Sequence, residues 1–319
     1  MGRAGFLPAP SHRRRGAIGR EIARYGLAPY RKTAIINDAP RFPAILSFRR
    51  HFGSTPWQTP VASMTEEAAP TSLPPGWRVH AVADDVTVVQ TETSRPLSAA
   101  LAGEIETHWL AAQATCGGAL FNGAVFSVDD ITPTHLRGHM TEYRRILAQF
   151  RDPALFATLR LRPLAVCGVL LSPDGIVFGR RQGNAVYQSG LWQTPPAGNV
   201  DGRAARARGR VDLHHQIFAE LHEELGLAPD AVRLSRPLAL VEHGGSHVLD
   251  LGFLLTTDLP FTAIAATHAR AGNDEYETLR CIPPAALAAW LARMGPDVVP
   301  SVPILLHAAG LIGAETCQP

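Results

Sequence analysis

Glu220, Glu223 and Glu224 stand together in the run A-E-L-H-E-E-L-G-L, residues 219–227. At about 100° per helical residue, positions i, i+3 and i+4 fall within roughly 100° of arc, so a helix puts all three carboxylates on one face. Ile217, Phe218, Leu221 and Leu225 occupy a neighbouring face that can enter a core, and Gly226 supplies the residue that a helix C-cap favours. Three like charges on one face repel unless something cationic meets them. A cluster of hard oxygen donors suits Mg²⁺ or Mn²⁺, with a phosphate completing the shell. The plain alternative is a solvated acidic face.

Twenty residues upstream the chain reads G-L-W-Q at Gly190–Gln193 and P-P-A-G-N-V-D-G at Pro195–Gly202. With the glutamate run, these segments resemble the Nudix box, G-x5-E-x7-R-E-U-x-E-E-x-G-U, where U is a bulky aliphatic residue. Gly198 matches the opening glycine, Glu220, Glu223 and Glu224 match the glutamates of the core, and Gly226 and Leu227 close the pattern. Three departures accompany the match. Gly198 precedes Ala219 by 21 positions where the pattern has 14, so about seven residues are inserted, and the Arg-rich stretch 203–209 is the obvious insert. Ala219 stands where the pattern has arginine. The earlier glutamate falls on Val211, with Asp212 beside it as a substitute or as a helix N-cap.

The resemblance covers about residues 160–295. It implies an α/β fold, an α/β/α sandwich with a mixed sheet, and metal-dependent hydrolysis of nucleoside diphosphate derivatives. It also implies Mg²⁺ or Mn²⁺ held by Glu220, Glu223 and Glu224, with Gly198 as an additional ligand. The W-L-A-A-Q and L-F-N-G-A-V-F segments between Ile105 and Val128, ahead of a box with an insert, are similar to the Nudix subgroup acting on UDP-glucose and UDP-galactose. On that basis the expected reaction yields UMP and sugar 1-phosphate. ADP-ribose, another nucleoside diphosphate derivative, or a catalytically silent ligand-binding module remain the alternatives.

Further site residues are expected around this cluster. Glu275, in the acidic segment before the strand candidate Tyr276–Ile282, is the choice for an additional catalytic carboxylate. Gln216 lies one turn before Glu220. Asp250 alternates with apolar Leu249 and Leu251 and should point away from their side. Arg180 and Arg181 end a strand and could reach a phosphate or sugar; Asn122, in the turn Phe121-Asn122-Gly123, could complete the pocket from the N-terminal side. His243 and His247 flank a Gly-Gly-Ser turn without a third ligand nearby. Trp192 reads as core.

Around the motif the chain reads as three segments. Residues 76–160 form a smaller α+β module, with a V-T-V-V strand near Val86–Val89, a helix over Leu97–Gln113, a strand over Ala124–Val128 and a helix over Thr141–Phe150. Residues 161–319 form the hydrolase domain, opening on a hairpin of Leu164–Leu171 and Ile176–Gly179 around S-P-D-G. Strands at Leu238–Glu242 and Val248–Thr256, another at Tyr276–Ile282 and a helix over Pro284–Met294 follow.

Residues 1–75 are basic. The first 63 carry eleven Lys and Arg against two acids, whereas residues 64–319 carry nineteen against twenty-six. This segment is expected to be a disordered extension, or the product of an upstream start with Met64 as the true beginning. A nucleic-acid-binding arm and a transit peptide are the alternatives, and neither comes with a recognisable motif. Lys32 is the only lysine in the chain, so any cationic grip on phosphate beyond it must be arginine. Four scattered cysteines without C-x-x-C spacing fit free thiols in a reducing, cytoplasmic compartment. The expected partner is a small nucleotide-sugar, with neither nucleic acid nor membrane.

Overall fold

A computed structural model describes residues 73–91, 96–118 and 120–313. The expectations for the basic N-terminal segment, including Met64, lie outside these residues. In chain order the elements are β1 (Arg78–His80), β2 (Thr87–Gln90), α1 (Ala99–Thr115), β3 (Ala124–Ile131), β4 (His135–Glu142), α2 (Tyr143–Arg151) and α3 (Phe156–Leu159). There follow β5 (Leu164–Ser172), β6 (Gly175–Arg181), β7 (Trp192–Gln193), β8 (Ala197–Asn199), β9 (Arg210–Val211) and α4 (Leu213–Leu225). The chain then forms β10 (Arg233–Glu242), β11 (Leu249–Thr256), α5 (Phe261–Ala271), β12 (Tyr276–Ile282), α6 (Pro284–Met294) and α7 (Ser301–Ala308).

The main sheet runs β1-β10-β11-β5-β6-β12, with β7 on β6 and β8 on β5. Only β11 and β5 run parallel, so the sheet is mixed. Its strands are apolar on both faces, which requires cover on both sides. Along β5, Leu164, Val166 and Leu170 enter one core with Leu213, Ile217, Leu221 and Leu225 of α4 and Ile264 of α5. Their neighbours Ala165, Cys167 and Val169 enter a second core with Leu287, Trp290 and Leu291 of α6 and Val302, Leu305 and Leu306 of α7. The period of two sorts alternate residues into opposite layers, and the result is an α/β/α sandwich. Trp192 is core, edge-on to Trp290.

A second sheet of four strands runs β3-β4-β2-β9, with β2 and β4 parallel. A small core of Ile105, Ile146, Ala148, Leu155, Leu159 and Leu161 packs beneath α1 and α2. Residues 76–160 and 161–319 exchange a strand each. β1 lies at the edge of the main sheet, and β9 completes the small one by pairing with β2. The insert is therefore folded rather than looped out: two 3₁₀ turns, Gly202–Ala204 and Ala207–Gly209, carry the chain to β9, with Ala204 fully buried.

The strand β12 and helix α6 occupy the predicted residues. The helices α5 and α7 and strand β4 carry no clear signal. The helix α7 is buried on nearly every side, which erases the helical period, and contains Pro303 in its first turn. In β4 Leu136 and Met140 alternate with His135, Arg137 and His139, but Gly138 interrupts the apolar side and His139 is buried. No helix among the described residues is long and apolar enough to cross a membrane. The described cysteines, Cys116, Cys167 and Cys281, are free thiols.

Candidate active site

Helix α4 is fixed at both ends. The Asp212 carboxylate accepts a hydrogen bond from His215 N at 3.0 Å, and Gly226 takes the left-handed conformation, φ 70°, at the C-cap. With Leu213, Ile217, Leu221 and Leu225 held in the core, the adjacent stripe of Gln216, Glu220 and Glu224 faces β8. Strand β8 pairs with β5 so that Gly198 sits opposite Val166. A Cβ built on Gly198 would lie 2.3 Å from the Glu220 carboxyl carbon. Glycine is required here because the carboxylate comes so close to the backbone.

Glu220 is mostly buried. It accepts from Gln216 Nε2 at 2.6 Å and pairs with Arg203 Nη2 at 3.2 Å. Burial pushes its pKa up to about 7; the Arg203 charge opposes this and Glu223 adds to it. Glu224 lies deeper and is 2% exposed. Its carboxylate accepts from Ala197 N at 3.0 Å and from the Tyr276 hydroxyl at 2.7 Å. Burial, then the nearby charges of Glu220 and Glu275, hold its pKa well above the usual carboxylate range. Glu223 projects outward and is bound by Arg203 Nη1.

Arg203 is the unforeseen member of the site. Its Nε donates to Asp201 at 2.8 Å, while its two terminal nitrogens reach Glu220 and Glu223. The insert thus delivers a guanidinium through space to the carboxylates that Ala219 cannot serve along the helix. The sequence signal was the Arg-rich insert itself, but nothing in it singled out one arginine. With Arg203 among them, the α4 carboxylates do not come within 4.8 Å of one another as a set; among the described residues only Glu104, His108 and Asp152 reach that spacing.

A cavity of about 360 Å³ opens over Glu220 and Glu224, and Gly198, Arg181, Glu275 and Asp250 also line it. Arg181 pairs with Glu275 at 2.8 Å and donates to Gln193 Oε1 at 3.2 Å, while its buried Nε has no partner. Gln193 in turn donates to the Tyr276 hydroxyl at 2.9 Å. Arg181, Gln193, Tyr276 and Glu224 thereby form one continuous hydrogen-bonded wall.

The opposite wall contains Asp250, which accepts from His243 Nε2 and Ser301 Oγ, both at 2.6 Å. Burial raises its pKa, but His243, Ser301 and the Cys167 thiol more than offset this and hold it below the usual value. His243 stacks on Trp77 at 4.2 Å, and its Nδ1 lies 2.8 Å from the Tyr187 hydroxyl. Tyr187 stacks on Phe150 at 5.0 Å, and burial pushes its pKa up to about 12. His243 and His247 do not converge, since His247 bonds Glu242 instead.

The predicted residues therefore divide. Gly198, Glu220, Glu224, Arg181, Asp250 and Glu275 share one cavity. Gln216 is fully buried with both ends of its amide used, donating to Glu220 and accepting from Asp201 N at 3.3 Å, so it braces a carboxylate rather than facing the cavity. Arg180 points away, donating to Gly190 O at 3.1 Å. Asn122 is committed elsewhere, donating to Glu142 at 3.2 Å and accepting from Arg144 N at 2.9 Å. From residues 76–160 the cavity receives Tyr143 and Phe150 instead.

The chain is similar to several solved structures. Against DR0079 from Deinococcus radiodurans the identity is 16%, covering 58% of this chain and 98% of that one, with a TM-score of 0.39. The MutT protein from Methanosarcina mazei Go1 gives 11% identity over 47% of this chain and 91% of that one, TM-score 0.31. A Nudix hydrolase from M. smegmatis, RenU, gives 18% over 47% and 88%, TM-score 0.32. No protein-family model matches the chain, and neither does any curated protein.

Proposed function

We infer that the chain is a Nudix-type, divalent-metal-dependent hydrolase of nucleoside diphosphate derivatives, with UDP-glucose and UDP-galactose as its preferred substrates. The observation that carries this reading is the meeting of Glu220 and Glu224 with Gly198 and Arg181 around one cavity. The carboxylates are hard oxygen donors, and Gly198, lacking a Cβ, leaves room for the Glu220 carboxylate against the β8 backbone, so the donor set fits Mg²⁺ or Mn²⁺. Such an ion supplies Lewis-acid polarisation of a phosphoryl oxygen and a more acidic bound water.

The chain's own residues supply the rest. Arg181 is the only arginine among the described residues lining this cavity, and its guanidinium suits a phosphoryl oxygen. Glu275 and Gln193 hold its guanidinium in place before substrate arrives. Phosphoryl transfer asks for positioning and charge stabilisation more than covalent chemistry, which these residues suit.

Arg203 acts as a resident counter-ion. Closing the carboxylates on a divalent cation requires that guanidinium to leave, so Arg203→Ala is expected to tighten Mn²⁺ binding about tenfold through the lost charge repulsion. Calorimetric titration of the full chain measures this, and an unchanged or weaker affinity removes the counter-ion role.

The same contact favours a second reading, a silent ligand-binding module, because Arg203 already offsets part of the charge on Glu220 and Glu223 without metal. Incubation of UDP-glucose, UDP-galactose and ADP-ribose with the chain and Mg²⁺ or Mn²⁺ separates the readings. The expected products from the UDP-sugars are UMP and sugar 1-phosphate. Free UDP and sugar would mean attack at the glycosidic carbon and end the proposal. Faster turnover of ADP-ribose would discard only the substrate preference, whereas binding without turnover of any of them would favour the silent module.

A further inference from the structure

A second concavity, of about 670 Å³, shares no lining residue with the carboxylate cavity. Arg78, Arg160, Arg162, His80, His247 and Phe156 line it, together with two acids. Both acids are already committed. Glu242 is buried between His80 at 2.8 Å and His247 at 3.1 Å. Asp129 pairs with His139 at 2.8 Å. Arg162 is anchored by Nε to Val128 O at 3.0 Å and by Nη2 to Asp129 O. Arg78 and Arg160 have no ion pair or hydrogen bond from their side chains to any described residue.

Backbone conformation singles out the same place. Four non-glycine residues among those described have positive φ, and two of them, Arg160 at 50° and His247 at 60°, line this concavity. An L side chain holds that conformation at a cost in free energy, and such outliers concentrate where a side chain must be aimed. Arg160 is held there as the cap of α3, its N–H donating to Phe156 O at 3.0 Å. His247 stacks flat on Phe156, with ring centroids 3.5 Å apart.

We propose that this concavity binds a phosphorylated small molecule through Arg78 and Arg160. Two guanidinium groups without a counter-ion among the described residues balance a phosphate dianion, whereas a single carboxylate would leave one charge unmatched. The planar fork of arginine matches phosphate oxygens two at a time. The volume lies in the range of small-molecule sites.

Inorganic phosphate is the probe, titrated into the full chain in EDTA at mildly alkaline pH and followed by calorimetry and ³¹P line broadening. Saturable binding at millimolar phosphate is expected. Loss of one charge-assisted contact in Arg78→Ala, or in Arg160→Gly, which keeps the positive φ, should weaken it about tenfold or more. Arg233→Ala, which removes an equal charge paired with Asp258 elsewhere, should leave it unchanged. Circular dichroism confirms that each variant is folded. Absence of saturable binding overturns the proposal, as does binding undiminished in the Arg78→Ala/Arg160→Gly double variant. Acetate binding as tightly as phosphate would overturn the ligand class.

Discussion

Replacing Glu224 or Glu220 by glutamine is expected to lower hydrolysis of a nucleoside diphosphate derivative by about 10²- to 10⁴-fold while the protein stays folded. Each substitution keeps the shape of the side chain and removes one anionic oxygen donor from the cavity. In the metal-free protein the same changes should be neutral or stabilising. Burial holds both carboxyl groups above their ordinary pKa, so each is a charge the fold resists.

The pH dependence follows from the direction of the shift. Glu220 rises from 4.5 to about 7 on folding, so its favourable contribution is complete below the unfolded value and is lost as pH climbs through the folded one. Metal-free wild type should therefore lose up to ~3 kcal/mol from this group between roughly pH 5 and pH 8, and Glu220→Gln should flatten that slope. Denaturant titrations in EDTA across this range, paired with product assays at saturating metal, measure both halves. Wild-type turnover in both variants would remove α4 from the mechanism, and an unaltered slope in Glu220→Gln would remove the buried-charge account.

The second large effect is expected at Gly198. An alanine there puts a methyl carbon 2.3 Å from the Glu220 carboxyl carbon, well inside contact distance. The carboxylate is held by Gln216 and Arg203, so it must leave its position or push β8 from β5. Displacement by about 1 Å at a positioned group costs on the order of 10² in rate, and overpacking adds about 1–3 kcal/mol of destabilisation. Gly103→Ala is the matched control, since its added Cβ meets nothing within 4 Å and lies in helix α1. That change should raise stability by about 0.5–1 kcal/mol. Turnover in Gly198→Ala equal to wild type would show that the close approach serves packing alone.

Local pattern alone determined the elements that carry the chemistry. The i, i+3, i+4 spacing and a capping aspartate suffice to place a helix at 213–225 and to align its carboxylates, because helical geometry is set within a few residues. Likewise β5 and β6 read directly from a continuous apolar run and a turn. Tertiary structure decided how the carboxylates differ. Glu224 is sealed under Tyr276 and Ala197, Glu220 is half-neutralised by Arg203, and Glu223 faces outward; these environments come from segments up to 52 residues away. It also decided that Asn122 and Arg180 stay away from the cavity while Tyr143, Phe150 and His243 line it. Periodicity reports which face of an element is buried. Which distant side chain meets that face depends on sheet order, and here the insert between Gly198 and α4, by pairing β9 with β2, brings Arg203 onto the glutamates.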